Sequence, residues 1–161
     1  MAQIDLKNAI IKILDGTSPT PKDLEVIIGE GNLTFSEKRN MEYKLNRGRI
    51  YGVREGDEVP VDVSMEFMWE FLRSAVGVPP TVEDALKKRG EAITWVSSGA
   101  DPCEPYCVTI QIIYTPPCAG AQIETVTLNE FRYEELNHDL RGGTVSVTGK
   151  CNIKQALTTR G

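Results

Sequence analysis

Between Val59 and Phe71 the chain reads V-P-V-D-V-S-M-E-F-M-W-E-F, with an apolar residue at every odd position. Side chains of a strand alternate between its two faces. Val59, Val61, Val63, Met65, Phe67, Trp69 and Phe71 therefore share one side, and Pro60, Asp62, Ser64, Glu66, Met68 and Glu70 share the other. At roughly 3.3 Å per residue the run reaches about 40 Å, against about five or six residues for a usual strand. The odd face belongs in a core, and the even face meets water or a polar partner. A strand of that length points to assembly between copies.

Period-two patterning recurs along the chain. Leu24, Val26 and Ile28 alternate with polar or flanking residues, as do Leu33 and Phe35, then Met41, Tyr43 and Leu45. Val108, Ile110, Ile112 and Tyr114 share one face, and Val145, Val147, Cys151 and Ile153 share another. Turn chemistry separates the runs at Gly29-Glu30-Gly31, Arg47-Gly48, Glu55-Gly56-Asp57, Thr115-Pro116-Pro117 and Arg141-Gly142-Gly143. One short helix is expected after Pro79-Pro80. Thr81 stands at its cap, Glu83 and Asp84 in its first turn, Lys87, Lys88 and Arg89 at its positive end, and Gly90 beyond, with Val82, Ala85 and Leu86 as its buried side. Residues 90–105 read as an exposed loop. The fold class predicted is mainly β: an antiparallel β-sandwich or barrel with long hairpins and one short flanking α-helix.

With 161 residues the chain fits a single domain over 1–161, burying about two thirds of its unfolded surface. Its net charge of −5 has the wrong sign for gripping nucleic-acid phosphates. No apolar run approaches a membrane span, and residues 1–12 lack the pattern of a secretory leader, so a soluble, unsecreted protein without membrane contact is expected. The four cysteines are then expected as thiols.

Motifs for catalysis are weak. His138 is the only histidine, in the turn-like Leu136-Asn137-His138-Asp139-Leu140, and a turn or interface hydrogen bond accounts for it better than a triad. Gly29-Glu30-Gly31 has Thr34 where a dinucleotide fingerprint needs glycine, so it reads as a strand connection. The paired acids Glu134 and Glu135, or Glu66 and Glu70, come with no pocket signal for acid–base work. Cys103 and Cys107 have the spacing of a zinc half-site that Cys118, or Cys118 with Cys151, would complete; a soluble zinc-binding β module is thus an alternative. Acids on polar strand faces make either an ordinary wet surface or, in a ring of identical subunits, the wall of a channel that repels phosphates.

An ordered set of segments carries a family likeness: Gly31-Asn-Leu-Thr-Phe-Ser-Glu37, Arg47-Gly48, and Val53-Arg-Glu-Gly-Asp-Glu-Val-Pro-Val61 running into the long strand. Asp101-Pro-Cys103, Tyr106, Thr115-Pro-Pro-Cys118, Phe131, His138-Asp139 and Gly143-Thr-Val-Ser-Val-Thr-Gly149 follow in the same order. The set resembles the major tail tube proteins of long-tailed, siphophage-type bacteriophages, and is similar also to the tube protein of type VI secretion systems. The resemblance implies a structural, non-enzymatic virion protein without cofactors, assembled in the host cytoplasm. Its homohexameric rings would stack into a tail tube whose inner β-barrel is shared between neighbours and lets genomic DNA pass. Tape measure, tail tip and tail terminator proteins would be its partners; a tube protein of a contractile or secretion-type apparatus is the close variant. Residues 31–45 and 59–71 become the candidate hairpins. Strand parity nominates Glu37, Glu42, Asp62, Glu66 and Glu70 for the lumen. Residues 39–57 become a mobile loop that orders on stacking, with Arg47, Arg49, Arg54, Glu55 and Asp57 as candidate inter-ring contacts. No appended surface domain is expected after residue 155.

Overall fold

The computed structural model describes residues 6–28, 31–69, 79–118, 120 and 122–160. Among these residues ten strands carry the fold: β1 (Ala9–Leu14), β2 (Asp23–Val26), β3 (Leu33–Ser36), β4 (Arg39–Asn46), β5 (Arg49–Glu58), β6 (Val61–Met68), β7 (Val108–Tyr114), β8 (Glu124–Asp139), β9 (Thr144–Cys151) and β10 (Leu157–Arg160). The helix α1 (Val82–Lys87) lies between β6 and β7 in sequence. Seven strands follow the order β2-β1-β7-β8-β9-β6-β3, β10 joins β8, and β4 with β5 forms a sheet of its own. All the pairings are antiparallel.

The ends of the long sheet meet, because Ile27 just after β2 and Asn32 just before β3 both bond to β6. The Met68 amide donates to the Ile27 carbonyl at 3.0 Å and the Glu66 amide to the Asn32 carbonyl at 2.8 Å. The sheet thus rolls around one core. Val61, Val63, Met65 and Phe67 face inward from β6, and register sets Cys151, Gly149, Val147 and Val145 of β9 opposite them. Ile11 and Ile13 of β1 oppose Ile112 and Ile110 of β7, and Leu128 and Phe131 of β8 complete the packing. Gly149 occupies a core position where a Cβ would lie 2.8 Å from the Phe131 ring. Phe131 fills that space.

The odd-face prediction holds from Val61 to Phe67, but the strand itself ends at Met68 and begins after Pro60. Residues 70 and 71, including Glu70, lie outside the described residues. The long strand is β8, sixteen residues from Glu124 to Asp139, and it escaped the period-two reading because two irregularities interrupt its register. One involves Glu130, whose φ of 54° is rare for a side-chain-bearing residue. The segment 136–139 is strand rather than turn, paired with residues 144–147 of β9. The expected exposed loop after Gly90 opens with a short 3₁₀ turn at Gly90–Ala92 and buries Ala92 and Trp95.

Helix α1 forms where its caps dictate. The Asp84 amide donates to Thr81 Oγ1 and the Thr81 amide to the Asp84 carboxylate, both at 3.3 Å, and Lys88 closes the helix at φ 54°. Tyr106 ties it down by donating from its hydroxyl to the Ala85 carbonyl at 2.8 Å. Burial, with the nearby Asp15 and Cys107, pushes the Tyr106 phenol further up. Asp15 anchors the loops beside the core, its carboxylate accepting from the Thr17 amide and hydroxyl, the Lys22 amide and the Val96 amide. Burial pushes its pKa upward, but these four bonds outweigh it and hold the group below its ordinary value.

Candidate functional site

Four strands present a polar outer surface. On β6 the outward residues are Asp62, Ser64, Glu66 and Met68, and their neighbours across β3 and β9 are Ser36, Thr34, Lys150, Thr148, Ser146 and Thr144. The first half of β8 lies between β7 and β10, whereas the half from Arg132 to Asp139 pairs only with β9 among the described residues. The edge of β3 away from β6 has no strand partner among them either. The unit β3-β6-β9-β8 is therefore a four-stranded sheet with two open edges and a hydroxyl-rich outer face. Unpaired strand edges are templates for adding another strand.

The isolated hairpin is the second surface. Its turn, Asn46-Arg47-Gly48-Arg49, has φ of 54° at Arg47 and 79° at Gly48, the two positive angles that a tight two-residue hairpin turn requires. Tyr43 opposes Val53 and Leu45 opposes Ile50, while a register shift adds Tyr51 to the same side. All five are exposed, from 53% at Val53 to 77% at Tyr51. Glu42 and Arg54 form an ion pair on the reverse face. A lone two-stranded hairpin is marginal in water, and this one leaves a row of aromatics and aliphatics exposed.

The nominated residues fall in three places. Asp62 and Glu66 share the outer face of β6, with Asp62 bonded to Lys38 at 3.1 Å. Glu42 sits on the separate hairpin, and Glu37 lies in the link between β3 and β4. Arg47, Arg49, Arg54, Glu55 and Asp57 all belong to the β4–β5 hairpin, two paired strands with register shifts joined by a tight turn. The fold brings Cys107 close to Cys151 but does not gather the four cysteines. Cys107 and Cys151 are buried, Cys103 and Cys118 are exposed, and among the described residues no group of three metal-ligating side chains converges. Ser97 and Ser98 each place a hydroxyl 3.4 Å from the Cys107 sulfur.

A cluster the sequence did not reveal locks α1 to the end of β8. Glu83 is only 3% exposed and Asp84 fully buried; Arg89 spans both, 3.0 Å from Glu83 Oε2 and 3.3 Å from Asp84 Oδ1. Lys87 lies 3.8 Å from Glu83, and His138 Nε2 meets its other oxygen while the imidazole packs on Trp69. The sequence places Glu83 and Asp84 in the first turn of the helix, and only the tertiary fold brings His138 to Glu83. The ionic contacts are those of an anchor, closing one end of the core.

Comparison with known proteins agrees with this architecture. A solved structure aligns along nearly the full length of both chains, covering 99% of this one and 98% of the other, with a TM-score of 0.54 and 11% sequence identity. It is the cryo-EM structure of the PVC sheath/tube terminator of an extracellular contractile injection system, in the extended state. The chain shares the overall fold of that protein. No family model and no curated protein sequence matches it.

Proposed function

We propose that this chain is a non-enzymatic ring-forming subunit of a phage-tail-like particle, and that its rings stack into the tube. The observation that carries the reading is the four-stranded sheet β3-β6-β9-β8 with one open edge at β3 and another along Arg132 to Asp139. Two different edges on one sheet allow head-to-tail pairing between copies, and such heterologous contacts close into rings when the rotation permits. Pairing also satisfies backbone groups that each copy leaves open. The outward face then becomes the lumen, with Ser64, Thr148 and Glu135 in one row near its middle, Glu66 in the row to one side, and Asp62 toward the other end beside Lys150 and Arg132. A hydroxylated, mildly acidic wall binds a passing polyanion weakly, as a conduit for DNA requires.

The hexameric count, the DNA cargo and the tape measure and tail tip partners follow from the likeness to phage tube proteins. A second reading, a terminator that caps the tube with a single ring, is favoured by the contractile-system neighbour. Negative-stain electron microscopy of the purified chain, alone and with a tail-tip seed, tests both. Tubes many rings long support a tube subunit, and rings that never stack support a terminator. Monomers under every condition would refute ring formation.

A further inference from the structure

Resting on the reading of the chain as a ring-forming subunit, we infer that loop 98–107, lashed to β8 at Glu130 and Arg132, is the stop that sets the register in which a neighbouring copy's β3 joins the open edge of β8. The open edge needs one, because residues 133–139 outnumber the four residues of β3. Slipping a strand by two residues moves it about 7 Å and returns its side chains to the same faces. The alternation of Leu33 and Phe35 with Thr34 therefore does not choose between such placements. The choice matters, since stagger and strand number are linked in a closed barrel. A joint free to slip would leave the ring open or change its subunit count.

Loop 98–107 is built as a fixed block. The Ser98 amide donates to the Cys107 carbonyl at 3.0 Å, closing its base, and Ser97 Oγ accepts from the Gly99 and Cys107 amides, both at 3.3 Å. Within the loop the Asp101 carboxylate accepts from the Cys103 amide at 2.9 Å, and the Asp101 carbonyl from the Glu104 amide at 3.2 Å. Two residues of β8 then hold it. Glu130, with its φ of 54°, accepts from the Ala100 amide at 3.4 Å through one carboxylate oxygen and from Asn152 Nδ2 at 2.8 Å through the other. Arg132 donates from Nε to the Pro105 carbonyl at 2.9 Å and from Nη2 to Glu104 at 3.1 Å. Strand β7 pairs with this side of β8 only as far as Phe131 among the described residues, so Glu104 and Pro105 stand beside Arg132 where the open edge begins.

Three antiparallel steps separate β3 from β8 within one copy, so copies in the same orientation join these strands antiparallel, with Ser36 leading toward Arg132. Glu37 follows, exposed and opposite in charge to the guanidinium it approaches. The outward residues along the open half of β8 are Glu135, Asn137 and Asp139, opposite Thr148, Ser146 and Thr144. Setting Thr34 against Asn137 seats all of β3 on the edge. Two residues nearer the block, Ser36 would collide with the Glu104–Arg132 pair; two residues farther away, Leu33 would run beyond Asp139. Arg132 is thus a positioning residue for the joint.

Cysteine scanning in the full chain, with Cys103 and Cys118 replaced by Ser, tests the register. Thr34→Cys is combined in turn with Glu135→Cys, Asn137→Cys or Asp139→Cys, and the oxidised rings are resolved by denaturing electrophoresis. With the loop held, the Asn137→Cys combination should link about tenfold more than either other. Arg132→Ala should bring the Glu135→Cys yield to within about twofold of the Asn137→Cys yield, with open arcs and rings of mixed diameter in electron microscopy. Equal linking at Glu135 and Asn137 with the loop held, or a pattern that Arg132→Ala leaves unchanged, overturns the proposal while edge pairing stands. Protein that forms no rings and links at no position overturns both. Thermal melting is the folding control. If Arg132→Ala fails to fold, Glu104→Ala, which leaves the Pro105 bond in place, should shift linking toward Glu135 in the same direction, and no shift overturns the proposal.

Discussion

Replacing Gly149 with alanine puts one methyl group where the sheet and the core meet. The Cβ would stand 2.2 Å from the Arg132 carbonyl oxygen and 2.8 to 2.9 Å from two carbons of the Phe131 ring. The ring is wholly enclosed and the carbonyl belongs to the paired strand β8, one residue before Tyr133, which opposes Gly149 in register, so neither neighbour moves without disturbing the sheet. Overpacking of a dense core costs about 1–3 kcal/mol, and contact with backbone places this substitution at the upper end, about 3 kcal/mol. For a domain of this size that corresponds to a fall in Tm of roughly 6–12 °C. Gly52→Ala is the control: a Cβ there meets nothing within 4 Å, and the change should leave stability within about 0.5 kcal/mol or raise it slightly. Urea unfolding of both variants, with unchanged slopes confirming a comparable unfolded state, gives the difference directly. A Gly149→Ala protein within about 0.5 kcal/mol of the native chain would refute the packing argument.

Other consequences follow from single contacts. Asp15→Asn should cost about 2 kcal/mol near neutral pH by urea unfolding. Because the folded pKa lies below the ordinary 3.8, the gap between Asp15→Asn and native protein should stay constant above about pH 5 and narrow as pH falls through 3.8 and below; a gap that widens on acidification contradicts the assignment. Glu83→Ala strips Arg89 and His138 of a buried carboxylate and should destabilise by about 3 kcal/mol in thermal melting. Iodoacetamide followed by mass spectrometry should label Cys103 and Cys118 in the native protein but Cys107 and Cys151 only after denaturation, since both are buried; burial first, and then Cys107 beside it, pushes the Cys151 thiol up to about 12. Equal labelling of all four would contradict the burial.

The elements legible from sequence were those whose pattern is local. The inward row Val61, Val63, Met65 and Phe67 follows from alternation alone, and Thr81 with Asp84 marks the start of α1 before any tertiary contact exists. The buried side of α1 was read as Val82, Ala85 and Leu86. Ala85 and Leu86 are buried, yet Glu83 and Asp84 join them because Arg89 pairs with both carboxylates and His138 bonds to Glu83. Strand β8 was unreadable because bulges shift its phase, so the same face is inward at Leu128 and again at Phe131. The pattern Met41, Tyr43, Leu45 was read correctly as a strand face, but periodicity reports only that a face is apolar. It does not say whether the covering partner lies in the same chain. Sequence parity likewise grouped Glu37, Glu42 and Asp62, which the fold distributes over a link, a hairpin and a sheet.

The claim that two open edges of one sheet join between copies is tested most directly by cross-linking those edges. A chain carrying Thr34→Cys on β3 and Asn137→Cys on the free half of β8, with Cys103 and Cys118 replaced by Ser, should on mild oxidation give disulfide-linked oligomers ending in a closed ring, separable by denaturing electrophoresis. Either substitution alone should give no ladder. Oxidised double-cysteine protein that remains monomeric at concentrations where electron microscopy shows rings would contradict edge-to-edge assembly.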